Sequence, residues 1–293
     1  MSTPQNINCL TIRDKLRFYK KHPMSFAAFL LVCISAIVTV GILVLLVGYI
    51  LVKGIPYLKP ELFAWEYNSE NVSMMPAIIN TFTMTGLTLL IAVPIGIGAA
   101  IYLVEYAGRG NKLVGLVRMT TETLAGIPSI VYGLFGYLIF VIALHFGRSM
   151  LSGALTLAIM ILPTIMRTTE EALKAVPDTY REGSFGLGAG RLRTVFRVVL
   201  PSAVPGILSG IILAIGRIVG ETAALIYTSG TVPGVPTSLM QAGRTLSVHM
   251  YALLSEGLYT DQAYATAVVL LVLVLLINAL AGWVAKRIQA DKG

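Results

Sequence analysis

A chain of 293 residues that is 56% hydrophobic and 12% charged, with mean hydropathy +0.80, is not an ordinary soluble domain, since those carry roughly a quarter charged residues. The formal net charge of +8 would suit a nucleic-acid binder only if the basic residues formed a solvated patch. Two cysteines, Cys9 and Cys33, provide neither a disulfide framework nor a CxxC metal pair.

In chain order, residues 1–23 read as a basic N-terminal segment, followed by an apolar run of 29 residues from Met24 to Val52. A signal-peptide core holds about 7–15 apolar residues, so this run reads as an uncleaved first transmembrane helix, 24–52. A loop at 53–76 separates it from further spans at 78–104, 129–147, 151–169, 203–228 and 264–285. The expected fold class is therefore an all-α polytopic membrane protein with six transmembrane helices, residues 77–285 forming its main membrane domain and 286–293 a tail. Pro94 and Pro163 fall inside spans two and four, where a kink is tolerated if neighbouring helices satisfy the freed carbonyls. With the N-terminus inside, seventeen Lys and Arg fall on the cytoplasmic side and four outside, Arg217 alone lying within a span. That asymmetry places both termini in the cytoplasm, leaves 53–76 outside, and assigns the +8 to the cytoplasmic membrane face; no nucleic acid is implied.

The loop between spans four and five, EEALKAVPDTYREGSFGLGAGRLRTVFRVVLPSA, reads as two short helices along the membrane surface. Pro177 suits a first helical turn and Gly188 a C-terminal stop. Leu192, Val195, Phe196 and Val199 follow at amphipathic spacing, and Pro201 is expected to end that piece before span five. On periodicity alone, a basic segment lying on anionic lipid is the other reading.

Span five carries two charges, Arg217 and Glu221, which at i and i+4 of a continuous helix could pair on one face. Gly216 and Gly220 make a GxxxG step that Ala224 extends, and Gly206 and Gly210 repeat the spacing, so another helix could approach closely. Each charge costs roughly 2.5–3.5 kcal/mol at mid-membrane. Two readings are open: an ion pair that fixes helix register, or the lining of a polar pathway in which Arg217 attracts an anion and Glu221 limits its retention. The guanidinium fork suits tetrahedral oxyanions but does not separate phosphate from sulfate. Arg167, at the end of span four, is either a boundary anchor or an exit-side anion contact. Thr85 shares a face with Thr81 and Thr88, and either bonds back to its own helix or lines the pathway. Ser129 is expected to cap span three beside Pro128, where N–H groups could face an anion. Glu105 reads as a solvated boundary charge. His22, His145 and His249 lack metal-ligand spacing, and no metal or other cofactor is expected. No GxxxxGK[ST] loop is present, so the chain itself is not expected to hydrolyse ATP.

Within 170–201, Glu182-Gly183-Ser184, three residues, Gly188, nine residues, Val198, one residue and Leu200-Pro201 resemble the EAA-x3-G-x9-I-x-LP signature of permease subunits in binding-protein-dependent ABC importers. Gly183 and Ser184 stand for the two alanines and Val198 for isoleucine. GRIVGETAALIYTSG (216–230), IPSIVYGLFGY (127–137) and LPTIMRTTEEALKAVPDTYREG (162–183) resemble segments of the phosphate-specific members, nearest the A-type subunit. The resemblance implies the type I ABC importer permease fold and a non-catalytic transport subunit. It also implies assembly with a homologous C-type permease, an ATPase dimer and an external phosphate-binding protein. In that arrangement the 178–188 helix docks on the ATPase, with Phe185 and Leu187 as apolar anchors and Glu182 at the rim. Arg217 and Glu221 take the place of the intramembrane charged pair. A permease for another oxyanion (sulfate, phosphonate, molybdate), or an ATP-independent channel or membrane enzyme, is the alternative.

Overall fold

The computed structural model describes residues 23–107 and 112–290; the predicted basic segment and the end of the predicted tail lie outside them. Two compact units result, one up to Val52 and one from Lys53 onward. Helix α1 (Pro23–Gly54) is apolar from end to end, and its large side chains, among them Leu31, Ile37 and Leu45, are exposed. Without an amphipathic stripe, it is built for a lipid environment.

The second unit contains α2 (Met75–Ile101), α3 (Lys112–Ala125), α4 (Ser129–Gly136), α5 (Met150–Lys174), α6 (Asp178–Gly186), α7 (Arg191–Thr194), α8 (Leu200–Gly220), α9 (Ala223–Thr228), α10 (Leu246–Glu256) and α11 (Thr260–Ala290). Among the described residues of both units, five helices, α1 included, are long and apolar enough to span a membrane, and a bent pair counts as a sixth if it forms one span. That pair corrects the predicted third span: α4, prolonged by a π turn over Tyr137–Ala143, ends before the expected boundary, and Val114–Ala125 precedes it at 104°. Gly126, Ile127 and Pro128 form the break, with Pro128 extended (ψ 141) rather than helical, as a residue lacking an N–H donor permits.

α5 is the centre of the bundle, and its apolar window is the most buried of the spans. Leu157, Ile161 and Ile165 of α5 meet Met84 and Ala92 of α2, Tyr132 of α4, Ala214 and Ile218 of α8, and Leu225 of α9 in one core. A second core at the α6 end joins Leu103, Val114, Leu173, Val195, Val199 and Ile207. Close approach of α8 to α5 depends on small residues. A methyl at Gly206 would lie 2.6 Å from the Ala172 side chain, and one at Gly210 would collide with Thr168. The Gly216–Gly220 step brings no helix as near among the described residues: Gly220 has nothing within 4 Å, and Gly216 approaches only Asn278, at 4.0 Å.

The predicted stop at Pro201 is also absent. α7 runs through a π turn (Val195–Val199) into α8, forming a 30-residue helix from Arg191 to Gly220. Pro201 lies in the first turn of α8, and the wider π turn before it accommodates a residue that cannot donate. Gly188 does end α6: its φ of +80° is the left-handed conformation that favours glycine. Pro177 caps α6 from outside instead of starting it.

At the opposite end of the bundle, the chain between α9 and α11 is tied down by polar groups. The Ser149 hydroxyl caps α5 by accepting from the Ser152 N–H, and the Met150 N–H donates to the Gln241 carbonyl at 2.9 Å. Asn80 donates to the carbonyls of Gly234 and Arg244, and the Thr81 hydroxyl accepts from the Leu246 N–H at 2.8 Å. The buried Arg244 guanidinium lies 4.6 Å from the Tyr67 ring centroid, and His249 stands edge-on to that ring. His249 is fully buried, and neither ring nitrogen has a well-formed hydrogen bond among the described residues. Burial, and then the Arg244 charge, lower its pKa from 6.5 to about 3.

Candidate functional site

Arg217 and Glu221 do not share a helical face. α8 ends at Gly220, and Glu221 is extended (ψ 129) before α9 begins. The Glu221 carboxylate turns forward and accepts from the Ala224 N–H at 3.1 Å, at the start of α9, while its own carbonyl accepts from the Ser247 hydroxyl at 2.6 Å. A carboxylate at a helix N-terminus satisfies an orphan donor and meets the positive end of the dipole, and that use is incompatible with the predicted pairing. The local sequence favours the break, because Gly220 weakens the helix while Glu221 and Thr222 supply side-chain acceptors for a new start.

Arg217 is therefore half-buried with no hydrogen bond or ion pair among the described residues. It lines a cavity of about 520 Å³ with Thr164 of α5, Ser209, Leu213 and Gly216 of α8, and Asn278 of α11. Gly216, unneeded for helix packing, keeps the wall beside the guanidinium open. A cation with five donors, polar neighbours on two other helices and no resident carboxylate is equipped to hold an oxyanion.

A second cavity, about 450 Å³, shares Thr164 and Leu213 with the first and carries Arg167. Arg167 donates from Nε to Glu171 at 3.1 Å, with both side chains mostly exposed. Ser129 and Thr85 are not brought to Arg217. Pro128, not Ser129, occupies the cap position of α4, and no side-chain cap bond forms there, because Ser129 is already helical. Thr85 is buried and its hydroxyl donates back to the Thr81 carbonyl at 2.7 Å, lining neither cavity.

At the other side of these cavities, α6 presents exposed apolar surface. Tyr180, Phe185 and Leu187 are exposed, Leu187 at 91%, and Glu182 and Gly183 are open beside them. Ser184 faces inward, its hydroxyl 2.8 Å from that of Thr194, tying α6 to α7; Leu200 and Pro201 are half-buried in the turn behind. Sequence reading overlooked the bond that anchors α6. Glu105 is not solvated: its carboxylate, 9% exposed, meets Arg181 at 2.7 Å. Arg181 also donates to the carbonyls of Val176 and Leu173 at the end of α5. The signal was an acid at the end of an apolar span opposite a loop arginine, which hydropathy cannot pair. Asn278 escaped notice for a similar reason, as one polar residue in a long apolar span.

The arrangement defines a class: a multi-pass, all-α membrane protein with a cation, unpaired among the described residues, in an open groove between α5, α8 and α11, and an exposed apolar helix away from it. The sequence profile described as "Binding-protein-dependent transport system inner membrane component" matches residues 92–290. A probable ABC transporter permease protein, YqgI of Bacillus subtilis, is 34% identical over 273 residues, covering 87% of this chain and 92% of its own length. The phosphate transport system permease protein PstA of Haemophilus influenzae is 32% identical over 270 residues, covering 90% of this chain and 95% of its own. Among solved structures, a bacterial alginate ABC transporter, in complex with an alginate pentasaccharide-bound periplasmic protein, superposes with TM-score 0.66 at 17% identity, over 93% of this chain and 97% of that one. The chain belongs to the inner-membrane component family of binding-protein-dependent transport systems and has the fold of type I ABC importer permeases.

Proposed function

We propose that this chain is the permease subunit of an ABC importer for inorganic phosphate, supplying half of the transmembrane path. Arg217 carries the reading: an intramembrane guanidinium with no internal counter-charge, in a cavity with room for a small anion. Phosphate comes from the kinship with PstA of Haemophilus influenzae, and the Arg217 fork fits its oxygens. Both termini face the cytoplasm of a bacterial inner membrane, as the Lys and Arg distribution favours. The partners are a homologous permease closing the other side of the path, an ATPase dimer, and an external phosphate-binding protein that delivers the anion to the 229–259 side. The exposed face of α6, with Phe185, Leu187 and Glu182, is where the ATPase docks. ATP-driven closure there moves the spans, so that Arg217 becomes accessible to each side in turn. Glu221 acts by shaping the α8–α9 break beside the site and does not touch the anion.

The test is uptake of radiolabelled phosphate by the reconstituted complex, with sulfate as competitor. Wild type is expected to accumulate phosphate only with ATP and binding protein, and Arg217→Ala to lose uptake while still co-purifying with its partners. Transport without nucleotide, or uptake abolished by equimolar sulfate, would overturn the reading.

A further inference from the structure

The passage from Arg217 does not end at the second cavity. That cavity shares Arg118 and Lys174 with a third, about 1000 Å³, beside α6. The three together follow α5 from Arg217 to its end. Where the second meets the third, two cations from two helices converge on one carboxylate oxygen. Glu170 Oε1 lies 2.7 Å from Arg118 Nη2 of α3 and 2.6 Å from Lys174 Nζ of α5.

This cluster differs from the neighbouring Arg167–Glu171 pair. That pair is exposed on both sides and lies one turn apart on a single helix, where such contacts contribute little. The Glu170 side chain is 9% exposed and serves two cations at once, so the three groups carry a net +1 in a cavity that Glu122 and the Arg167–Glu171 pair also line. Arg118 is also incompletely satisfied: its Nε–H is closed off from solvent and has no acceptor among the described residues. A shielded donor on a charged group without an acceptor is unfavourable. An acceptor arriving from outside the chain would satisfy it.

A tetrahedral oxyanion meets the requirement. One oxygen can take the free Nε–H edge of Arg118, and others can replace the Glu170 oxygen at Nη2 and at Lys174. Resting on the phosphate-permease reading above, we propose that Arg118, Lys174 and Glu170 form a second, exit-side anion site. Glu170 is its built-in competitor. An anion leaving Arg217 displaces the carboxylate from the two cations, and the carboxylate then returns and expels it. Two adjacent cations without this counter-ion would retain a divalent anion, whereas conduction needs sites that bind weakly enough to release. Neither Glu170 nor Arg118 is a catalytic residue; they set how long the product anion stays.

The experiment uses the whole complex in proteoliposomes with ATP inside and binding protein outside, so that the lumen is the cytoplasmic side. Initial uptake of labelled phosphate is measured against increasing unlabelled phosphate in the lumen. Glu170→Gln is expected to lower the half-inhibiting lumenal concentration about tenfold or more, the size of one charged hydrogen bond, while Arg118→Gln and Lys174→Gln raise it. Glu170→Asp should restore much of the wild-type behaviour. If Glu170→Gln fails to assemble, Lys174→Gln alone still decides, since that side chain is half exposed. Wild-type inhibition curves in all variants overturn the exit site, provided wild type takes up phosphate and Arg217→Ala does not. If wild type takes up none, the underlying permease reading fails instead. An anionic lipid headgroup offers the same phosphate chemistry. Phosphatidylcholine vesicles with and without phosphatidylglycerol separate the two sources: variant effects that follow the lipid and ignore lumenal phosphate overturn the proposal.

Discussion

The Arg181 guanidinium lies 2.7 Å from the Glu105 carboxylate, joining α6 to the end of α2 across 76 residues of sequence. The same guanidinium donates to the carbonyls of Leu173 and Val176, so one side chain connects α6, α2 and the end of α5. Asp178, at the start of α6, holds it from a third side at 3.1 Å. A force applied to α6 therefore reaches two spans through one residue.

Removing either end of this pair leaves a charge with little water around it, and breaking a buried pair costs about 3–5 kcal/mol. Glu105→Gln keeps the shape and removes the charge. It is expected to preserve the complex while ATP hydrolysis continues with phosphate uptake reduced at least several-fold. Measuring both rates on one preparation checks this; a proportional fall in the two would show that the pair only supports folding.

Leu187, at the C-terminal cap of α6, is 91% exposed, and Phe185 near the end of the helix is exposed too. In a docked complex such residues supply most of the binding energy, each worth about 2 kcal/mol or more when truncated. Leu187→Ser is expected to reduce co-purification of the ATPase without lowering the thermal stability of the permease. Retention of the ATPase at wild-type stoichiometry would place the docking surface elsewhere.

Gly210 sets the distance between α8 and α5, because a methyl there meets Thr168 of the neighbouring helix. Overpacking a tight contact typically costs about 1–3 kcal/mol. Gly210→Val should lower the unfolding midpoint in detergent, whereas Gly220→Ala, with open space around the position, should leave it nearly unchanged. Measuring the two midpoints side by side tests which glycines bring the helices together.

The sequence revealed the spans because apolar runs of 20 or so residues are hard to mistake, and α6 because a charged loop motif stands out between them. It concealed the break after Gly220. Arg217 and Glu221 have the spacing of a helical pair, and only the alternative bonds available to Glu221, at Ala224 and Ser247, decide that the helix stops. It also concealed Arg118. α3 is too polar to register as a span, so its role in bringing a cation to Glu170 of α5 became visible only when the two helices were placed together. Buried pairs such as Glu105–Arg181 and Glu170–Arg118 depend on tertiary contacts that residue spacing does not encode.

His249 gives a pH dependence that can be measured away from the transport path. Its pKa in the folded chain is lowered to about 3 from 6.5, by burial first and by the Arg244 charge second. Above pH 6.5 the imidazole is neutral whether the chain is folded or unfolded, and the folded state incurs no penalty. Below 6.5 the unfolded chain takes up a proton that the folded chain refuses until about pH 3, so stability falls as pH falls through that window. The slope is about 1.4 kcal/mol per pH unit from this group alone. His249→Gln, similar in reach and unable to titrate, should unfold in detergent with a visibly shallower pH dependence between pH 6 and 4. Arg244→Gln should flatten it less, because removing the neighbouring charge leaves the larger contribution of burial in place. Identical slopes in wild type and His249→Gln would show that the imidazole accepts its proton in the folded chain, with water or a backbone carbonyl reaching it beside Tyr67.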